Sequence, residues 1–267
     1  MAEPREVPPE ARAAVDRFTA QVREAFGARL MSVVLYGSAA SGDYVHGRSD
    51  LNLALVLETV ALEDLDRCRP FLEGWRKDGI ALPLLLTPTE VQRSADIFPV
   101  EFLDICEYHV LLYGADFFAD LDIDPRYLRF QVEHELKAKV LSLRESYLGG
   151  LDRGTLEALV EELFETSVPS VLALGRNLLR ASGQRPPARR RDTPAALERA
   201  FGLTLPVLAD LARRRAGRAP LAAGGDAKAQ FGRYLEEVES LARVADSLGD
   251  PAAWRGERPG GGAGPSA

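Results

Sequence analysis

The sequence predicts an α/β domain followed by an all-α helical bundle. Three observations carry this expectation. In the first half of the chain, short apolar and β-branched runs alternate with helical patterns, as in a sheet covered by helices. From Pro125 onward no convincing strand remains, and long stretches with apolar residues at helical spacing take over. The sharpest local signal is a strand, a Gly-Ser turn and a second strand between Met31 and Leu57. The predicted organisation is a flexible arm over 1–9, an α/β domain over 10–124, a bundle over 125–250 and a disordered Gly- and Pro-rich tail over 251–267.

Taken in order, Ala14, Phe18, Val22 and Phe26 recur at i+4 and predict a helix from Pro9 or Glu10 to Phe26, ended by Gly27. Met31 to Tyr36 reads as a buried strand. Gly37 breaks it, Ser38 is a good helix N-cap and Gly42 closes the turn. Leu51 to Leu57 is a second strand, with Asp50 and Asn52 at its start; two residues apart, they face one place together. Leu62 to Lys77 has a helical pattern. Ile80 to Leu86 reads as a strand stopped by Thr87-Pro88, and Thr89 to Ser94 as a helical turn. Phe98 to Ile105 reads as a strand enclosing Glu101, and Val110 to Gly114 as a second short strand or a helix end.

In the second half, Arg126 to Leu148 predicts one long helix, with Glu133/Lys137 and Glu135/Lys139 as i, i+4 pairs on a solvated face and Gly149-Gly150 as its stop. Thr155 to Ala181 predicts a second, kinked at Pro169. Gln184 to Arg191 is a basic loop that could steer an anion, with a flexible linker as the default. Asp192-Thr193 caps a helix with Pro194 in its first turn, and further helices run from about Leu205 to Arg215 and Ala227 to Leu248.

Composition limits the function. The 267 residues suffice for a substantial core, and 46% hydrophobic with 27% charged content is ordinary for a globular protein. A net charge of −7 and a pI near 5.2 argue against wholesale nucleic-acid binding, and no stretch mixes basic and aromatic residues as a strand-binding groove would. Cys68 and Cys106 lack metal-ligand spacing and read as free thiols in a reducing compartment. No signal-peptide core and no membrane-length apolar run is found, so a cytoplasmic location is expected. His46, His109 and His134 are scattered without ligand spacing and read as surface or loop residues, although His46 could lie over a bound nucleotide.

The exposed backbone N–H groups after Gly37 make a ready anion site, and Asp50 offers an acidic oxygen nearby. This pairing is the layout of a metal-nucleotide site. The stretch Leu35-Tyr36-Gly37-Ser38, followed by Asp50-Leu51-Asn52, resembles the core motif of the DNA polymerase beta-type nucleotidyltransferase superfamily, nearest to bacterial small-substrate members of the aminoglycoside type. The resemblance is specific over Val33 to Leu57, softer to Gly114 and architectural beyond. It implies a mixed sheet, with Gly37 and Ser38 on the triphosphate and Arg48 and Ser49 as further nucleotide contacts. Asp50 with Glu101 would be the catalytic acids and, with Asn52, the ligands of Mg²⁺. Glu101 stands here for the third acid that the family carries on a later strand; on a strand, Glu101 and Asp104 would face opposite ways. A strand-edge acid is the plain alternative for Glu101, and a solvated loop arginine for Arg48.

The chain departs from the family at Asn52, where a second Asp is expected. An amide oxygen can ligate a cation but brings no charge. Two outcomes stay open: a site that works with a single Mg²⁺, or a nucleotide-binding or protein-interaction module that no longer transfers. If active, the chain would move a nucleoside monophosphate from an NTP, ATP being the expected one, to a hydroxyl on a small molecule or protein. Gln131, Glu135 and Lys139 share one face of the first bundle helix, and Glu135 carries no assigned role.

Overall fold

A computed structural model describes residues 6–94, 97–119, 121, 123–152, 154–217 and 226–248. Four strands form one mixed sheet: β1 (Leu30–Tyr36), β2 (Asn52–Leu57), β3 (Leu84–Leu86) and β4 (His109–Gly114), in the order β3-β2-β1-β4. β1 pairs antiparallel with both β2 and β4, whereas β2 and β3 run parallel. The central strands are apolar on both faces because both are covered. Val33, Leu35, Leu53 and Leu55 point into one core, and Val34, Ala54 and Val56 into another, at the period of two that a pleated strand imposes.

The first core is closed by α1 (Pro9–Phe26), α3 (Leu62–Cys68) and α4 (Leu72–Lys77). The expected helix over 62–77 is interrupted by a 3₁₀ turn at Arg69–Phe71, where Pro70 has no N–H to continue the ladder. Of the arm expected over 1–9, residues 1–5 lie outside the described residues, and Val7 is buried in this core. The second core is closed by α5 (Pro88–Arg93) and α6 (Pro99–Glu107). Between β1 and β2 lies the short α2 (Ser38–Ser41).

Two expectations need correction. The strand predicted over Phe98–Ile105 is a helix, α6. Its apolar residues are not alternating strand positions but two helix faces: Phe102 and Ile105 pack on the sheet, while Val100 and Leu103 pack on the helical bundle. Sandwiched in this way, the helix is apolar nearly all round, and Pro99 at its first position is the start signal. The strand predicted over Ile80–Leu86 shrinks to Leu84–Leu86, with an isolated bridge at Ile80, because Pro83 cannot donate to the ladder.

The bundle comprises α7 (Pro125–Gly150), α8 (Leu156–Ala181), α9 (Thr193–Phe201), α10 (Pro206–Ala216) and α11 (Ala227–Ser247). Its core is continuous from Leu128 on α7 through Phe164 on α8 to Tyr234 on α11. Glu237 on α11 accepts from the N–H groups of Val207 and Leu208 at 2.9 and 2.7 Å, satisfying the open start of α10. Asp192 precedes α9 without capping it through its side chain. The tail over 251–267 lies outside the described residues.

Candidate functional site

The N-terminal ends of β2 and α2 meet at Gly37, which closes β1 with φ of 73° and ψ of −143°. That backbone suits glycine, and space demands it too: a Cβ at Gly37 would lie 2.8 Å from Asn52 Nδ2. Asn52 is opposite Tyr36 in the ladder, so its amide is turned against the Gly-Ser turn. The loop back to β2 is held by its own turns. Arg48 and Ser49 N–H donate to the Val45 carbonyl at 3.0 and 2.8 Å, and Val45 N–H donates to Ser49 Oγ at 3.1 Å. Ser49 therefore braces the loop that presents Asp50.

These residues line one wall of a cleft of about 760 Å³. Gly37, Ser38, Arg48, Ser49, Asp50, Asn52 and Glu101 all face it, so every residue expected at the site is brought to one place. Asp50 is exposed to the cleft. Glu101 arrives from α6 rather than from a strand. Its carboxylate accepts from Gln131 Nε2 at 2.9 Å, while Gln131 Oε1 accepts from the Val100 N–H at 2.8 Å. One α7 side chain thus caps α6 and holds its acid. Burial pushes Tyr36, on the same wall, up to about 12, and the Glu101 charge adds to that shift.

The helical correction also frees Asp104 from the opposite face. At i+3 on a helix it shares the cleft with Glu101. The two strands later than β2 carry no acid: β3 is three leucines, with Leu84 itself lining the cleft, and β4 reads His-Val-Leu-Leu-Tyr-Gly.

The opposite wall belongs to the bundle. Glu135 and Lys139 of α7 face the cleft rather than forming a solvated pair, and Glu165, Pro169 and Ser170 of α8 join them. Arg215 of α10 enters beside Glu165, its Nη1 donating to Glu165 Oε2 at 2.8 Å. The basic loop is no free linker at its end. Arg190 N–H donates to Asp43 at 3.2 Å, and its Nη2 donates to Asp104 at 3.3 Å, tying the bundle to both sides of the sheet's rim. Arg180 completes this seam, donating to Asp104 at 3.1 Å and pairing with Glu107.

Sequence reasoning passed over Asp43, Glu165 and Arg215 as site residues and took Arg190 only as part of a basic loop that could steer an anion. Glu165 and Arg215 carry only the signal of charge on a helix with an apolar face, which a solvated surface shares. Among the described residues, five cationic and six acidic side chains line the cleft. It is a wall of paired charges, not a basic groove.

The histidines stand apart. His46 is exposed near Tyr44, and His134 is exposed beside Glu135. His109 is half-buried in β4, its Nδ1 donating to the Ile105 carbonyl and its Nε2 meeting Asp116, both at 2.8 Å. Both cysteines are free; burial raises Cys68 and pushes Cys106 up to about 11. Among the described residues, no helix is long and apolar enough to cross a membrane.

No family model matches the chain, and no curated protein matches it. Among solved structures it is similar to spectinomycin adenyltransferase AAD(9) from Enterococcus faecialis, determined with ATP and spectinomycin, at a TM-score of 0.55 and 12% identity over 88% of this chain and 99% of that one. Over that span, sheet and helices share the fold of that structure.

Proposed function

We propose that the cleft binds a nucleoside triphosphate, with ATP the expected one, and transfers its nucleoside monophosphate to a hydroxyl of a small-molecule acceptor, releasing pyrophosphate. The observation that carries this reading is the Gly37 turn, where a glycine-only backbone opens a helix beside the exposed Asp50 and a helical bundle forms the facing wall. In this reading Gly37 and Ser38 cradle phosphate through backbone N–H groups and the Ser38 hydroxyl, with Arg48 beside them and Ser49 bracing their loop. The bundle wall, with Glu135 and Ser170, meets the acceptor. The solved neighbour was determined with ATP and spectinomycin, which supports an NTP with a small-molecule acceptor.

Nucleotidyl transfer uses divalent cations, and the cleft's donors set how many it can hold. Among the described residues, no three His, Cys, Asp or Glu side chains gather as a closed metal site. Asp50 offers one carboxylate and Asn52 one neutral amide, while Glu101 is tied to Gln131. That set fits a single Mg²⁺, which takes most of its ligands from phosphate and water, and not a pair of ions bridged by a second acid. Asp50, Asn52 and Glu101 would face it, and when bound the ion would neutralise charge developing on the phosphates.

Asn52 and the acid-free strand β3 favour a second reading, a nucleotide-binding module without transfer. Calorimetric titration with ATP and GTP, with and without Mg²⁺, on wild type and Asp50→Ala tests the first. Mg²⁺-dependent binding lost in Asp50→Ala, followed by pyrophosphate release with some small-molecule acceptor, is expected. Binding indifferent to both Mg²⁺ and Asp50 would leave the second reading.

A further inference from the structure

Arg48, Glu165 and Arg215 form a cluster in the cleft wall in which two guanidinium groups meet on one carboxylate. Glu165 Oε2 accepts from Arg215 Nη1 at 2.8 Å, and Glu165 Oε1 lies 3.6 Å from Arg48 Nη2. Arg215 Nη2 also donates to the Arg48 carbonyl at 3.2 Å, which holds the loop before Asp50 against α10. All three side chains are largely buried, at 24, 30 and 16% exposure for Arg48, Glu165 and Arg215. Burial pulls the Arg215 guanidinium below its ordinary value; Glu165 opposes that pull, Arg48 adds to it and Asp50 opposes it. Two guanidinium groups share one carboxylate in the cleft that Gly37 and Ser38 also line, with Asp50 near enough to act on Arg215.

We propose that this cluster is a polyphosphate clamp closed on its own carboxylate: an entering triphosphate displaces Glu165 and takes both guanidinium groups. The proposal rests on the nucleotide reading above and deepens it. Guanidinium forks match phosphate oxygens two at a time, whereas the single Glu165 carboxylate divides its oxygens between two arginines. Arg48 and Arg215 then bring the positive charge that a second cation would bring if residue 52 were an acid. Glu165 is an internal competitor, and the clamp's apparent affinity is its intrinsic affinity reduced by the fraction of time it stands open. Pro169, one turn further along α8, has no N–H to give the Glu165 carbonyl, so that backbone oxygen loses its usual helical donor beside the cluster.

The test is calorimetry on the full chain with ATP and with inorganic tripolyphosphate, each in EDTA and in Mg²⁺. Glu165→Gln keeps the shape and removes the competing charge; it is expected to bind tripolyphosphate in EDTA about tenfold more tightly than wild type. Arg215→Met is expected to weaken tripolyphosphate binding at least about tenfold, with Arg215→Lys between the two as the variant that keeps the charge. Unchanged or weaker binding by Glu165→Gln, or ATP bound alike by wild type and all variants, overturns the clamp and leaves the nucleotide reading. Tripolyphosphate bound in the expected order without any ATP binding upholds the clamp and removes the nucleotide. Neither ligand bound by wild type or Glu165→Gln overturns both.

Discussion

Replacing Gly37 by alanine tests the turn on which the site depends. The native backbone, at φ of 73° and ψ of −143°, lies where a residue with a Cβ is strained by about 1–3 kcal/mol. The new methyl would also sit 2.8 Å from Asn52 Nδ2, and moving that amide adds roughly 1 kcal/mol. Alanine recovers about 0.4–1 kcal/mol by narrowing the unfolded chain. The net expectation is a loss of about 2–3 kcal/mol, read as a fall in Tm of roughly 5–10 °C for a chain of this size. Thermal unfolding of Gly37→Ala, Asn52→Ala and the double variant separates the parts. Removing the Asn52 amide should return about 0.5–1 kcal/mol of the loss, and the backbone share should remain. A Gly37→Ala protein within about 0.5 kcal/mol of wild type would refute the account of the turn.

Three further outcomes are expected. Asn52→Asp should strengthen Mg²⁺-dependent ATP binding and create or raise pyrophosphate release if that ligand alone is missing, whereas binding without any gain in release would mean that the acid-free β3 is also decisive; calorimetry and a pyrophosphate assay read both. Gly114→Ala places a Cβ 1.9 Å from the Met31 carbonyl oxygen at a φ of 77°, and a loss of more than about 3 kcal/mol in denaturant unfolding is expected because strand β1 cannot yield without opening the sheet. Asp64 is buried, and its carboxyl is held below the ordinary range by the Arg29 hydrogen bond at 2.6 Å and the Ala61 N–H, against the opposing pull of burial. A depressed carboxylate stabilises the fold fully above its unfolded value near 4, and the contribution fades as pH falls through the lower folded value. Asp64→Asn should therefore flatten the fall in Tm on acidification; an unchanged pH profile would refute the assignment.

The residues that make local structure were legible. The Gly37 turn, its two flanking strands and the long helices α7, α8 and α11 follow from spacing, glycine and caps, and the cleft gathers the site residues expected from the Gly-Ser turn and Asp50. What failed was legible only in three dimensions. Val100, Phe102, Leu103 and Ile105 look like a short buried strand because a short helix packed on two sides loses its polar face, and periodicity then carries no information. Glu135 reads as a solvated charge, and Glu165 and Arg215 draw no reading at all, because nothing local to a bundle helix says which polar residues will face a cleft. Asp43 and Arg190 are 147 positions apart and meet only because the bundle folds back over the rim of the sheet.

That seam between halves also bears on how the chain is made. The Gly37 turn, strand pair and Asp50 leave the ribosome first, while Arg190 and Arg215 follow roughly ten seconds or more later at ordinary elongation rates. During that interval the nascent sheet presents Asp43, Asp50, Asp104 and Glu101 without the guanidinium groups that later face them across the cleft. The emerging sheet is thus more acidic at this rim than the finished cleft, with Arg48 its one cleft-lining cation among the described residues. The full set of charges on both walls therefore exists only once synthesis has passed α10.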